Sequence, residues 1–115
     1  MNLFFKSFGY ALQGIVSALK EQRNLKVQLV LGLVAIAMGL YYEIRPWEWT
    51  AVCLSIGLVL GLEMMNSAIE ALVDLVTVER KPLPGKIKDI AAGGVLLASI
   101  VAAVVGVIVF SQYIF

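Results

Sequence analysis

Glu63, Asn66, Glu70 and Asp74 stand at offsets of 0, 3, 7 and 11 in a segment that is otherwise strongly apolar. A helix turns about 100° per residue, so these offsets share one narrow stripe, with Ser67 on its border. At about 1.5 Å per residue, the stripe runs roughly 16 Å from Glu63 to Asp74. Acidic side chains at membrane depth cost roughly 2.5–3.5 kcal/mol each, so three acids and an amide on one line are poor packing material. A helix end protruding into water would account for Asp74 and for Glu70. It would not account for Glu63, which follows the apolar Gly57–Leu62 and precedes Met64 and Met65. Carboxylates and an amide are hard oxygen donors, and magnesium is typically held by one or two carboxylates together with substrate phosphates.

Composition says what must carry this stripe. The chain has 115 residues, of which 61% are hydrophobic, and its mean hydropathy is +0.93. Soluble domains stay near 45–50% apolar, so the natural solvent for this chain is a bilayer. With no histidine, the commonest general base and transition-metal ligand is missing, and any catalysis falls to carboxylates, lysines or hydroxyls. The single cysteine, Cys53, lies in an apolar run and cannot form an intrachain disulfide. A net charge of +1 gives no field for nucleic acid.

The pattern predicts an all-α membrane protein forming a single domain over 1–115. An amphipathic helix over 1–24 carries Phe5, Phe8, Leu12, Ile15, Val16 and Leu19 at three- and four-residue spacings. With Lys6, Lys20 and Arg23 as its charges, it suits the membrane surface. It lacks the small-residue cleavage site of a signal peptide. Three spans follow, at about 27–43, 49–76 and 90–113. Tyr41, Tyr42, Trp47 and Trp49 form an interfacial belt between the first two, with Pro46 in the turn. A polar loop is expected over Thr77–Asp89, with Pro82, Pro84 and Gly85 as helix breakers. Gly93 and Gly94, with Ala91 and Ala92, allow close helix approach. Eight of the nine basic residues fall in the N-terminal segment and the Thr77–Asp89 loop. The positive-inside rule puts both in the cytoplasm and the C-terminus outside.

That loop brings Arg80, Lys81, Lys86 and Lys88 beside the acidic stripe. Carboxylates, a cation and lysines at a membrane surface suit phosphoryl transfer, while topology alone is the other account of the loop's charge. Neither a G-x-x-x-x-G-K-[ST] loop nor a G-x-G-x-x-G string occurs.

The string Glu63-Met-Met-Asn66-Ser67-Ala68-Ile69-Glu70-Ala-Leu-Val-Asp74 resembles the signature of the small bacterial diacylglycerol kinases and undecaprenol kinases. Lys88-Asp89 followed by Ala91-Ala92-Gly93-Gly94-Val95 is similar to the family's second block. The likeness extends over almost the whole chain. It implies a homotrimer in the bacterial inner membrane that transfers the γ-phosphate of ATP, with Mg2+, to diacylglycerol or undecaprenol, giving phosphatidic acid or undecaprenyl phosphate. It also implies sites near the cytoplasmic interface where subunits meet. By the same resemblance Glu63 is the general base, Asn66 supports it, and Glu70 is a metal ligand. Tyr10, Glu70, Asp74, Lys88 and Asp89 attend the nucleotide, with Glu79, Arg80 and Lys81 near its adenosine part. Two positions depart from the pattern. Gln22 stands where a second metal-ligating glutamate is usual, so Glu21, one residue earlier, is the expected ligand. Leu3 replaces an arginine that some members carry. A small membrane ion or proton relay is the alternative, since intramembrane acids also mark ion paths. A path needs polar groups along a full span, and Trp49–Leu62 offers only Thr50 and Ser55.

Overall fold

The computed structural model describes residues 2–79 and 81–115. Met1 and Arg80 lie outside the described residues. The remainder forms four helices, α1 (Asn2–Glu21), α2 (Arg23–Tyr42), α3 (Pro46–Val76) and α4 (Pro82–Ile114).

Each break has a local cause. Gln22 is extended, so the chain turns there and Arg23 and Asn24 open α2 rather than close α1. Glu43 takes the left-handed conformation that ends many helices, at φ 50°, and its amide bonds to the Gly39 carbonyl. Pro46 then starts α3, at a position whose missing N–H is no loss. The expected loop over Thr77–Asp89 is shorter than the sequence suggests, because α4 begins at Pro82. Pro82 and Pro84 fall in the first turn, where amides have no helical partner. The Gly85 amide makes the early helical bond, 3.2 Å to the Lys81 carbonyl. The prolines that read as breakers are therefore starters, and Lys86, Lys88 and Asp89 ride on a helix.

α2, α3 and α4 are each long and apolar enough to cross a membrane. α2, with 20 residues, is about 30 Å long and matches the apolar layer. α3 and α4, with 31 and 33 residues, overshoot it by about 15–20 Å. Their projecting ends carry the charges of the α3–α4 connection. α1 buries none of its residues, and Phe4, Phe5, Phe8, Leu12 and Ile15 remain exposed along it, as an interfacial helix requires.

α3 is the central helix. α4 packs along it most extensively and α2 less so, while α2 and α4 scarcely meet. The core gathers at the α2–α3 turn, where Ile44, Val52, Val109 and Phe110 are buried and Met38, Tyr42, Trp49 and Tyr113 pack against them. Tyr42 and Tyr113 stack with ring centroids 5.7 Å apart. Glu48, fully buried, ties this end together. Its carboxylate accepts the Arg45 backbone amide at 2.8 Å, the Tyr113 hydroxyl, and the Gln112 side-chain amide at 3.4 Å. The α3 start is thereby fastened to the last turns of α4. Glu48, the third residue of α3, accepts the backbone amide of the N-cap Arg45 as the acid of a capping box does, and with Pro46 at the first helical position this was a signal open to sequence reading, although Glu48 was not singled out there.

Removing Glu48 takes the acceptor from the half-buried Tyr113 hydroxyl and from the Arg45 backbone amide. Glu48→Ala is expected to lower the melting temperature in micelles by at least about 5 °C, and Tyr113→Phe by less. Gly39 gives a second test. A Cβ there would lie 2.7 Å from the Trp49 ring, whereas one at Gly32 meets only the Ile56 side chain at 3.1 Å. Gly39→Ala should therefore cost about 1–3 kcal/mol by overpacking, and Gly32→Ala clearly less, as read from paired thermal melts.

Candidate active site

The polar stripe lies on α3 as the spacing predicts, and burial grades along it. Glu63 is 4% exposed and Asn66 9%, Glu70 is half-buried, and Asp74 is exposed. Glu63 stands about 24 Å along the helix from Trp47. If Trp47 marks one boundary of a layer roughly 30 Å thick, Glu63 lies just inside the other.

The contacts divide the stripe into two parts. In the first, the Asn66 side chain donates to the Glu70 carboxylate at 3.2 Å, and the Asn66 Oδ1 is buried with no partner. Ser67 donates its hydroxyl back to the Glu63 carbonyl at 3.1 Å. Glu70, and Asn24 from the first turn of α2, are polar neighbours of Glu63. The second part bridges two helices. Lys88 Nζ meets Asp74 Oδ1 at 2.6 Å, joining α4 to α3 where both emerge. In the connection, Lys81 pairs with Glu79 at 3.5 Å and the Glu79 amide bonds to Thr77 Oγ1. Asp89 is exposed one residue beyond Lys88.

The α1 candidates stand apart from this cluster. Tyr10 is 69% exposed along α1, Glu21 is exposed at its last residue, and Gln22 is half-buried at the break. Among the described residues no three acidic side chains gather into a cation cage. Arg80 lies outside the described residues. The donor set nevertheless suits a hard cation, since the unpartnered Asn66 oxygen sits beside the Glu70 carboxylate.

Because α2 and α4 pack on α3 and scarcely meet each other, a cleft of about 380 Å³ opens between them. Gly32, Ala35, Val52, Ile56, Val59 and Ala102 are among its mainly apolar lining, and Asn24 and Gln28 stand at the α2 N-terminal end.

Known proteins resemble this chain in sequence over most of its length. The family model for prokaryotic diacylglycerol kinase matches residues 9–110. The undecaprenol kinase of Bacillus subtilis (strain 168) is 34% identical over 110 residues, covering 96% of this chain and 89% of that protein. The diacylglycerol kinase of Escherichia coli (strain K12) is 31% identical over 99 residues, covering 86% and 81%. The diacylglycerol kinase of a Synechocystis species is 37% identical over 101 residues, covering 87% of this chain and 58% of that longer protein.

The chain belongs to the prokaryotic diacylglycerol kinase family.

It is accordingly a membrane protein and a lipid kinase of the diacylglycerol kinase type, and that family uses ATP as its phosphate donor. The ion-relay alternative gains no support from these relatives. Within this family member, sequence reading passed over Asn24. A lone amide at the start of an apolar run carries no periodic or motif signal, and only the packing of α2 on α3 brings it to Glu63.

The Lys88–Asp74 pair is partly exposed, with the two side chains 38% and 55% accessible. Screened pairs of this kind contribute about 0–1 kcal/mol. Asp74→Asn and Lys88→Gln should each leave the melting temperature within a few degrees of wild type while raising the KM for ATP about tenfold or more. A large fall in melting temperature with unchanged kinetics would mark the pair as structural.

Proposed function

We propose that this kinase transfers the γ-phosphate of ATP to the hydroxyl of a membrane lipid alcohol, diacylglycerol or undecaprenol, with Glu63 as general base. The observation that carries this reading is the burial of Glu63 within the membrane-spanning part of α3, one helical turn from Val59 in the lining of a largely apolar cleft. A soluble substrate gives no reason for a carboxylate at that depth, whereas a lipid whose hydroxyl stays near the interface does.

In the proposed reaction the lipid hydroxyl loses its proton to a Glu63 carboxylate oxygen as its own oxygen bonds to the γ-phosphorus. The bond from that phosphorus to the β–γ bridging oxygen breaks, and ADP leaves with the electron pair. Base assistance of this kind contributes roughly 10²–10⁴-fold. Asn66 holds Glu70 in place through its side-chain amide. Glu70 is the proposed ligand of Mg2+ within the chain, with Glu21 supplying a second carboxylate in place of the usual residue at Gln22. The bound ion would neutralise charge on the nucleotide's phosphates. Lys88, oriented by Asp74, is proposed to contact the phosphates, with Asp89 and Tyr10 beside the nucleotide and Glu79, Arg80 and Lys81 near its adenosine part.

The remaining assignments are topological. Most basic residues flank the stripe, which favours a cytoplasmic site in the bacterial inner membrane with a cytoplasmic N-terminus. A homotrimer is proposed because three helices leave the cleft open and Glu70 and Asp74 uncovered on one side. A neighbouring copy would close the site.

Purified protein in mixed micelles with magnesium-ATP should phosphorylate diacylglycerol or undecaprenol, and comparing the two lipids identifies the substrate. Glu63→Gln should keep the wild-type melting temperature and lose at least about 100-fold in kcat. Near-normal turnover in that variant would overturn the assignment.

A further inference from the structure

We propose that Asn66 is itself a ligand of the divalent cation, its side-chain oxygen taking the place next to the Glu70 carboxylate. The inference rests on the reading of Glu70 as the metal ligand and adds a neutral oxygen to that site.

Asn66 is 9% exposed, and its Oδ1 is buried with no hydrogen-bond partner among the described residues. A buried acceptor left unpaired costs free energy, so this oxygen calls for a ligand. Two side-chain donors of the stripe are engaged elsewhere. Ser67 gives its hydroxyl to the Glu63 carbonyl, and Lys88 meets Asp74. In the proposed reaction the hydrogen of the lipid hydroxyl goes to Glu63. A hydroxyl, moreover, has one hydrogen and serves one oxygen, whereas a cation serves the Asn66 oxygen and the Glu70 carboxylate together.

The spacing fits the ion. Asn66 Nδ2 lies 3.2 Å from a Glu70 carboxylate oxygen, one helical turn away on α3. The last torsion of an asparagine is roughly two-fold, so a half-turn exchanges nitrogen for oxygen and sets Oδ1 near that distance. Magnesium holds oxygens at about 2.0–2.1 Å in an octahedron, so neighbouring ligands stand about 2.9 Å apart. The half-turn gives up one hydrogen bond, since Oδ1 has none to lose. Among the described residues no three acidic side chains gather, which leaves places in the shell for a neutral oxygen, phosphates and water. An amide also adds no charge beside Glu63 and Glu70, where a third carboxylate would repel both.

The test uses the full-length protein in micelles with a non-hydrolysable ATP analogue and Mn2+, which shares magnesium's octahedral oxygen shell. Electron paramagnetic resonance counts the free Mn2+ and so gives the affinity without turnover. Asn66→Ala should weaken Mn2+ binding about tenfold, the low end of what even an outer-shell partner contributes. Asn66→Asp, of the same shape and with a stronger oxygen ligand, should bind Mn2+ at least as tightly as wild type. A residue that only donated to Glu70 would lose its donor in both variants, and Asn66→Asp would then bind as weakly as Asn66→Ala. That result would overturn the proposal, as would wild-type affinity in Asn66→Ala. Should Asn66→Ala fail to fold, Asn66→Asp decides alone, and a tenfold loss in it overturns the proposal. Unchanged affinity in Glu70→Gln would instead defeat the metal-site reading, and this inference with it. A weakened Glu70→Gln beside an unaffected Asn66→Ala would defeat this inference alone.

Discussion

Inside a bilayer a polar group has no water to fall back on, and the organisation of this kinase follows from that shortage. Its backbone is helical wherever it crosses the apolar layer, because only a helix satisfies every amide within its own segment. Its hydroxyls obey the same constraint. Thr50, Ser55 and Ser67 each donate to the carbonyl four residues back, at 3.2, 2.8 and 3.1 Å. The two buried glutamates, Glu48 and Glu63, are the demanding cases, and the molecule treats them differently.

Glu48 is saturated. A backbone amide, a tyrosine hydroxyl and a glutamine amide converge on it, and the buried core surrounds it. Nothing is left over for a ligand, so the α2–α3 turn is the closed end of the bundle. Glu63, at the other end, is undersatisfied by comparison, with Asn24 beside it and a second acid, Glu70, nearby. That end stays open because α2 and α4 rest on α3 without touching much of each other. A rigid end that fixes the helices and an open end that carries the polar stripe suit a kinase of the lipid kinase family.

The structure also changes the standing of the α3–α4 connection. Read as a polar loop over Thr77–Asp89, it would leave Lys88 outside any helix. With α4 starting at Pro82, Lys88 sits on a helix, opposite Asp74. The pair contributes little stability, but it fixes where a cation stands relative to the stripe. A lysine held in one place would serve the phosphate contact proposed for it better than one that roams, because less rotamer freedom is lost on binding.

The sequence by itself determined what repeats locally. The 3.6-residue period put Glu63, Asn66, Glu70 and Asp74 on one line, the apolar runs marked three spans, and the acid-amide string pointed to the family. These are properties of one helix or one segment, set by backbone geometry that does not depend on neighbours. The early start of α4 was legible too, since proline at a first helical turn is a known signal, but the same residues also read as breakers. Only the tertiary structure decided the pairings between helices. Glu48 and Tyr113 are 65 residues apart, Asp74 and Lys88 are 14 apart, and Asn24 reaches Glu63 from another helix. Such meetings depend on the rotation and offset of one helix against the next. Those are set by side-chain packing along the whole contact, and no local pattern encodes them.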